Sequence, residues 1–275
     1  MLRAAVLGSP VAHSLSPVLH RAGYAACGLH AWAYDRVEVT EDALAGFVAG
    51  LGEEWRGLSL TAPLKEEVLR VADHVDDLAR RAGAGNTLLH QPDGRWAATN
   101  TDVEGVAGAL RPHLPIGGPD RTAAVLGSGA TTRSALLALA GLGVDDVVVH
   151  ARNRAAAAAL LDWADTEGVD LALSVSVLAP GVVDPGAAVV VSTLPPAGSP
   201  AAVAALPPAS TAVLLDVVYA GWPTPLARAA GERGMTVVSG LQMLVHQAAA
   251  QFALFTGVPA PLDAMLAAGR AALGR

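Results

Sequence analysis

The chain has 275 residues, 52% hydrophobic but only 4% aromatic, with a formal net charge of −7. This length builds one large domain or two of ordinary size, no apolar run reaches the ~18 residues that span a bilayer, and the acidic balance argues against nucleic acid as the main partner. One cysteine, Cys27, excludes an internal disulfide and a cysteine metal cluster, so no metal site is read and a cytoplasmic setting fits best.

Residues 3–8 read as a buried strand that runs into Gly8-Ser9-Pro10. Residues 16–29 read as a helix with Ser16 as N-cap and Pro17 in its first turn. A strand over 32–39 and a helix over 41–50 follow. Gly57 to Thr61 alternates as a short strand, with Leu58 and Leu60 toward the core and Ser59 and Thr61 on the other face. Pro63 then opens a helix that reaches about Val71. Residues 86–90 and 95–99 predict a hairpin around Asp93-Gly94, and a helix spans about 103–111. The Pro/Gly-rich stretch Pro112 to Pro119 reads as a domain boundary.

A second series begins with a strand at 122–126, a Gly127-Ser128-Gly129 turn and a helix at 131–142. Strands at 147–149, 189–191, 213–215 and 237–238 alternate with helical segments. This pattern predicts an α/β fold: an N-terminal α/β domain, then a Rossmann-type doubly wound parallel sheet. From Leu241, apolar residues at 241, 244, 245, 248, 252 and 255 keep a helical period, and Gly257 and Pro259 end it. Gln247 lies off that stripe.

The turn Gly127-Ser128-Gly129-Ala130-Thr131 sits between strand and helix, where backbone N–H groups and the helix dipole receive a pyrophosphate. It lacks the third glycine of the dinucleotide fingerprint, so an ordinary Gly-rich turn is the competing reading. About 20–25 residues on, where an acid would bind a ribose 2′-hydroxyl, the chain has Arg152-Asn153-Arg154. Guanidinium groups there suit a 2′-phosphate and favour NADP(H) over NAD, against a bland reading as two solvated arginines.

Lys65 is the one lysine among 18 basic residues. Arginine stays protonated, so a lone lysine is a candidate for proton chemistry, with chance as the alternative. Ser14 and Ser16, two apart, present both hydroxyls to one side in an extended segment. Asn86 and Asp102 read equally well as turn or cap residues.

Taken together, these segments resemble the shikimate dehydrogenase family. The resemblance rests on Gly8, Pro10, His13, Ser14, Ser16, Pro17 and His20, then Thr61, Pro63 and Lys65. It continues through Asn86-Thr87, Asn100-Thr101-Asp102, Asp216…Tyr219, Pro223 to Leu226 and Gly240 to Gln247, over nearly the whole chain. It implies NADPH-dependent, reversible reduction of 3-dehydroshikimate to shikimate, with small molecules as the partners and a monomer or homodimer as the working form.

By that resemblance Ser14 and Ser16 hold the substrate carboxylate. Thr61, Lys65, Asn86, Asp102 and Gln247 take its hydroxyls, with Lys65 and Asp102 as the catalytic pair. Gly127, Ser128, Gly129, Ala130 and Thr131 cradle the pyrophosphate, and Arg152 meets the 2′-phosphate; Asn153 and Arg154, from the reading of the strand end, are grouped with the cofactor residues. Val217, Tyr219 and Gly240 lie near the nicotinamide or the substrate. Asp77 matches an acidic family position and is grouped with the cofactor residues. Residues 1–102, completed by 241–275, form the substrate domain; 103–240 form the cofactor domain.

The chain departs from the family pattern at Arg21 and Ser59, both asparagine in relatives, at Ala130, a glycine, and at Ala151, often asparagine. Lys65, read in the first turn of a helix, would feel a dipole that disfavours a cation, while Asp102 favours one. Alternatives are a quinate-type dehydrogenase or one that uses NAD, a non-catalytic NADP sensor on the same fold, and a folate dehydrogenase.

Overall fold

The computed structural model describes residues 1–114 and 121–274, so residues 115–119 of the expected boundary lie outside the described residues. The chain divides into two compact units, Met1–Gly105 with Leu244–Arg275, and Val106–Met243. Among the described residues no helix is long and apolar enough to cross a membrane.

The first unit contains β1 (Leu2–Gly8), α1 (Ser16–Ala26), β2 (Trp32–Glu38), α2 (Glu41–Ala49), β3 (Trp55–Leu60), α3 (Val68–Val71), β4 (His74–Val75), α4 (Asp77–Ala82), β5 (Thr87–His90), β6 (Trp96–Thr99) and the start of α5 (Asp102–Leu110). Its six-stranded sheet runs β2-β1-β3-β5-β6-β4. β1 pairs parallel with β2 and β3, while β3, β5 and β6 pair antiparallel through the hairpin. One face carries a core of Leu7, Leu44, Leu58, Leu60, Leu64 and Leu88, all buried.

Two expectations need correction here. Ser16 is not an N-cap: Leu15 holds that position with helical dihedrals, and α1 ends at Ala26 rather than 29. The Ser16 N–H donates to Ser14 Oγ (3.3 Å), so a local turn, not an extended segment, brings the two serines together. Nor does a helix start at Pro63. Residues 62–67 are turns, and α3 covers only Val68–Val71. The Lys65 carbonyl accepts from Gly85 N (2.7 Å), and Leu69 N turns to Glu66 O instead. A tertiary bond has taken the acceptor that an α-helix would need. Lys65 therefore sits in a turn, and the helix-dipole argument for it falls.

The second unit comprises β7 (Thr122–Leu126), α6 (Ala130–Gly141), β8 (Asp146–Ala151), α7 (Arg154–Thr166), β9 (Ala172–Val177), β10 (Val189–Ser192), α8 (Ser199–Ala205), β11 (Val213–Asp216), α9 (Pro225–Glu232) and β12 (Thr236–Ser239). All neighbouring strands are parallel, in the order β12-β11-β10-β7-β8-β9. Counted from β7, that is the 3-2-1-4-5-6 order of a doubly wound dinucleotide fold, with its switch point between β7 and β10. The central strands β10 and β11 are buried, mostly apolar runs because both faces are covered, while the edge strand β9 alternates and is half-exposed.

Two helices close the chain, α10 (Gly240–Thr256) and α11 (Leu262–Ala272). The predicted stripe of α10 is buried at Leu241, Val245, Ala248, Phe252 and Phe255. Gly57 on β3 lets the helix lie close: a Cβ there would come within 2.1 Å of the Phe255 ring. α11 packs on α1.

Beneath α10, His20 is fully buried and stacked on Tyr34 at 4.1 Å, and neither ring nitrogen has a hydrogen-bond partner. Burial pushes its pKa down to about 3, with the neighbouring Gln251 amide acting in the opposite sense. Between that value and the ordinary 6.5 the unfolded chain binds the extra proton, so stability falls as pH drops through this window. Urea denaturation should show a His20 contribution of about 2 kcal/mol lost between pH 7 and 5. His20→Phe should shrink the difference between the two pH values by that amount; an unchanged difference would contradict the assignment.

Candidate active site

The first unit gathers Lys65, Asn86, Asp102 and Gln247 around one carboxylate. Lys65 Nζ lies 2.5 Å from Asp102 Oδ2, with the two side chains 19% and 5% exposed. Asn86 Nδ2 donates to Asp102 Oδ1 (2.9 Å) and to Gln247 Oε1 (2.8 Å). Both carboxylate oxygens are thus met from different directions, by a cation and by an amide.

Local structure explains the placement. Asp102 opens α5, and Asn100 supplies the cap: its Oδ1 accepts from the N–H of Asp102 (2.9 Å) and of Val103 (3.3 Å). Its amide also donates to Ala84 O (2.8 Å), tying the helix start to the loop before Asn86. Asn86 is no turn residue. Its Oδ1 accepts from Thr101 N (2.8 Å), Thr101 Oγ1 (3.1 Å) and Thr87 Oγ1 (2.8 Å), which leaves both amide hydrogens for Asp102 and Gln247.

Ser14 and Ser16 are buried, with their hydroxyl oxygens 3.2 Å apart. Arg36 Nε donates to Ser14 O (2.8 Å) and steadies the turn. Thr61 is half-buried, and its N–H donates to Leu7 O (2.9 Å) at the end of β1. Asp77 lies on the exposed first turn of α4 and accepts from Arg80 (2.6 Å), so the geometry gives it a surface ion pair.

The second unit holds its candidates at the switch point. Gly127 has φ +127, and a Cβ on it would meet Thr193 Oγ1 at 2.2 Å, so only glycine leaves this floor open. Gly129 is the N-cap of the 12-residue α6 and Ala130 its first residue, which leaves the first N–H groups without a side-chain cap. A cavity of about 380 Å³ is lined by Gly127, Ser128, Ala151, Arg152, Asn153 and Leu194. Asn153 commits its oxygen to capping α7, accepting from Ala155 N and Ala156 N, and Arg154 is the exposed first residue of that helix. An anion-receiving turn with an arginine at its rim, and no acid at the end of β8, fits a phosphorylated dinucleotide.

Near the end of β11, Val217 and Tyr219 are half-buried, and Gly240 lies against the Val217 carbonyl. Asp216 is buried, accepting from Thr224 Oγ1 (2.6 Å) and Val218 N (3.2 Å), and burial raises its pKa while these bonds oppose the shift. Asp216 thus orders the loop that carries Val217 and Tyr219.

Two residues escaped the sequence reading. Gln251, one turn beyond Gln247 on α10, is buried and bonds Ser59, Thr87 and the Asn86 carbonyl. Its i, i+4 spacing from Gln247 was the available signal. Ser59, expected on the face of its strand away from Leu58 and Leu60 and as a departure from the family pattern, is buried and links Tyr34 to Gln251.

Comparison with known proteins gives consistent matches. Residues 6–88 match the shikimate dehydrogenase substrate binding domain, and residues 240–268 match the shikimate 5′-dehydrogenase C-terminal domain. The chain is 39% identical to the shikimate dehydrogenase (NADP(+)) of Thermus thermophilus, covering 100% of both chains. Its fold matches the crystal structure of Mycobacterium tuberculosis shikimate dehydrogenase with a TM-score of 0.88 at 46% identity, over 98% of this chain and 100% of that one. It also matches a Thermus thermophilus shikimate 5-dehydrogenase in complex with NADP(H) and shikimate, with a TM-score of 0.85 at 35% identity over 99% and 100% of the two chains.

Removing the Asn100 cap should loosen the site. Asn100→Ala is expected to lower unfolding free energy by about 1–2 kcal/mol, since two helix N–H groups and the Ala84 carbonyl lose their partner. Denaturant titration checks it, and a change below about 0.3 kcal/mol would show that the cap carries little of α5.

Proposed function

The chain belongs to the shikimate dehydrogenase family, and we propose that it catalyses the NADP-dependent, reversible interconversion of shikimate and 3-dehydroshikimate. The observation that carries this reading is the Lys65–Asp102–Asn86–Gln247 cluster, a cation and a carboxylate in contact, with the Asn86 amide on the second carboxylate oxygen and Gln247 holding that amide.

In this reading the first unit is the substrate domain. The paired hydroxyls of Ser14 and Ser16 receive the substrate carboxylate. Thr61, Asn86, Asp102 and Gln247 bind its hydroxyls, and their fixed donor and acceptor directions orient the ring. In the oxidative direction the carbinol carbon gives up a hydride and its hydroxyl a proton. In oxidation the uncharged amine of Lys65 takes the proton from the hydroxyl oxygen and becomes the ammonium, and in reduction that ammonium returns the proton to the forming alkoxide. Asp102 holds Nζ in place as its counter-charge. Arginine at this position would supply charge but could not exchange the proton.

The second unit is the cofactor domain. When bound, NADP(H) accepts or supplies the hydride at its nicotinamide C4. The open floor at Gly127 and the N–H groups of Gly129 to Thr131 suit the pyrophosphate, and Arg152, with Arg154 beside it, suits the 2′-phosphate. Val217 and Gly240 are assigned to the nicotinamide side, and Tyr219 to the substrate. The single cysteine agrees with a cytoplasmic location, and the reading needs no partner beyond small molecules, whether the chain acts as a monomer or a homodimer.

Steady-state assays of the wild type with shikimate and quinate, each against NADP and NAD, test the reading. Shikimate with NADP should give the highest kcat/KM; turnover of neither substrate, or a preference for quinate with NAD, would overturn it. Lys65→Ala should lower kcat at least ~100-fold with a much smaller change in shikimate KM, and Lys65→Arg should not restore it. Arg152→Gln should raise the NADP KM roughly 10-fold and leave that for NAD nearly unchanged.

A further inference from the structure

Helix α10 holds Asn86 by both ends. Gln247 accepts from the Asn86 side-chain amide (2.8 Å), and Gln251, one turn later, donates from Nε2 to the Asn86 main-chain carbonyl (3.0 Å). That carbonyl also accepts from Leu60 N (2.7 Å), so the start of β5 is fixed against both β3 and α10. Gln251 Nε2 donates in addition to Thr87 Oγ1 (2.9 Å), and the Thr87 hydroxyl donates to Asn86 Oδ1 (2.8 Å).

Every hydrogen in this chain has one allowed direction. A main-chain carbonyl only accepts, so the end of Gln251 that faces it must be the NH₂ group. Its Oε1 then faces Ser59, whose hydroxyl donates to it (2.7 Å) and accepts from Tyr34 Oη (2.6 Å). On the other side the second Nε2 hydrogen occupies a lone pair of Thr87, which turns the Thr87 hydrogen toward Asn86. The Thr101 N–H, which can only donate, holds the same Asn86 oxygen. The sequence ends at Asp102, which accepts from Asn86 on one side and Lys65 on the other. Tyr34, Ser59, Thr87 and Gln251 are all buried, so water does not compete for these bonds.

We propose that Gln251 is a positioning residue for the reaction: through the Asn86 carbonyl and the Thr87 hydroxyl it sets where the Asn86 amide stands, and through it the orientation of Asp102 and Lys65. This rests on the assignment of the Lys65–Asp102 cluster to shikimate turnover. Gln251 does not touch the reacting atoms. It acts on geometry, and displacements of the order of 1 Å at such a site lower turnover by as much as ~100-fold.

Gln251→Met keeps the length of the side chain and removes both donors and the acceptor. Per folded enzyme it should lower kcat with shikimate at least ~10-fold and raise the shikimate KM, while the NADP KM stays within about 2-fold. Thr87→Val, one bond nearer the site, cuts the hydroxyl route from Gln251 to the Asn86 side chain, leaves the Gln251–Asn86 carbonyl bond and α10 in place, and should move kcat and shikimate KM in the same direction to a smaller extent; it decides the matter if Gln251→Met does not fold. In parallel, NMR hydrogen exchange of the Asn86 side-chain amide should be slow in the wild type and markedly faster in either variant. A folded variant with wild-type kcat, wild-type shikimate KM and slow Asn86 exchange would overturn the proposal. Wild-type protein that turns over no shikimate would sink the functional reading instead, and the exchange measurement would still decide whether Gln251 positions Asn86.

Discussion

A carboxylate removed from water must keep a counter-charge or a full set of donors. Asp102 meets that requirement from two sides, and most of the first unit is arranged to supply it. Lys65 reaches one oxygen from a turn that Gly85 holds open, and Asn86 reaches the other from the start of β5. Asn100 caps the helix that carries Asp102, and Thr101 fixes the Asn86 amide. Lys65 could not leave without stranding the buried Asp102 charge, so the pair is a geometric constraint as much as a chemical one. Charge alone would tolerate many arrangements; the Asn86 amide on the second oxygen, itself held by Gln247, narrows them.

The second unit follows a different logic. Its sheet is a buried parallel stack with few polar side chains inside, and its chemistry is confined to the carboxyl ends of the strands. The backbone does most of the recognition there. Gly127 leaves room, α6 starts without a side-chain cap on its first N–H groups, and one arginine adds charge where other dinucleotide folds place an acid. This division explains why the substitution of Ala130 for a family glycine leaves the start of α6 intact: the N-cap is Gly129, and Ala130 already lies in the helix.

Much of this could be read before any coordinates. Five of the six parallel strands of the second unit announced themselves as apolar, mostly valine-bearing runs, and the stripe of α10 by its period. The helix expected from Pro63 failed because the decisive bond, Lys65 O to Gly85 N, joins residues twenty apart in the chain. Ser16 had the chemistry of an N-cap, but Ser14 took its N–H first. β9 was missed because its alternating, half-exposed residues carry no strong apolar signal. Gln251 was missed for a related reason. A glutamine in a helix usually faces water, and only the meeting of α10 with β3 and β5 makes it a buried donor. Long-range pairing, not local preference, decided each of these cases.

The central claim is that Asp102 acts as the charged anchor of Lys65. Asp102→Asn tests it with the least disturbance, because the introduced amide keeps the shape and can still accept from Asn86. It loses the charge and turns a donor toward Lys65 Nζ. Purified, folded Asp102→Asn protein, assayed for shikimate-dependent reduction of NADP, should show kcat reduced at least ~100-fold with the NADP KM unchanged. A kcat within about 3-fold of the wild type would mean that the pair is structural and that the proton is handled elsewhere.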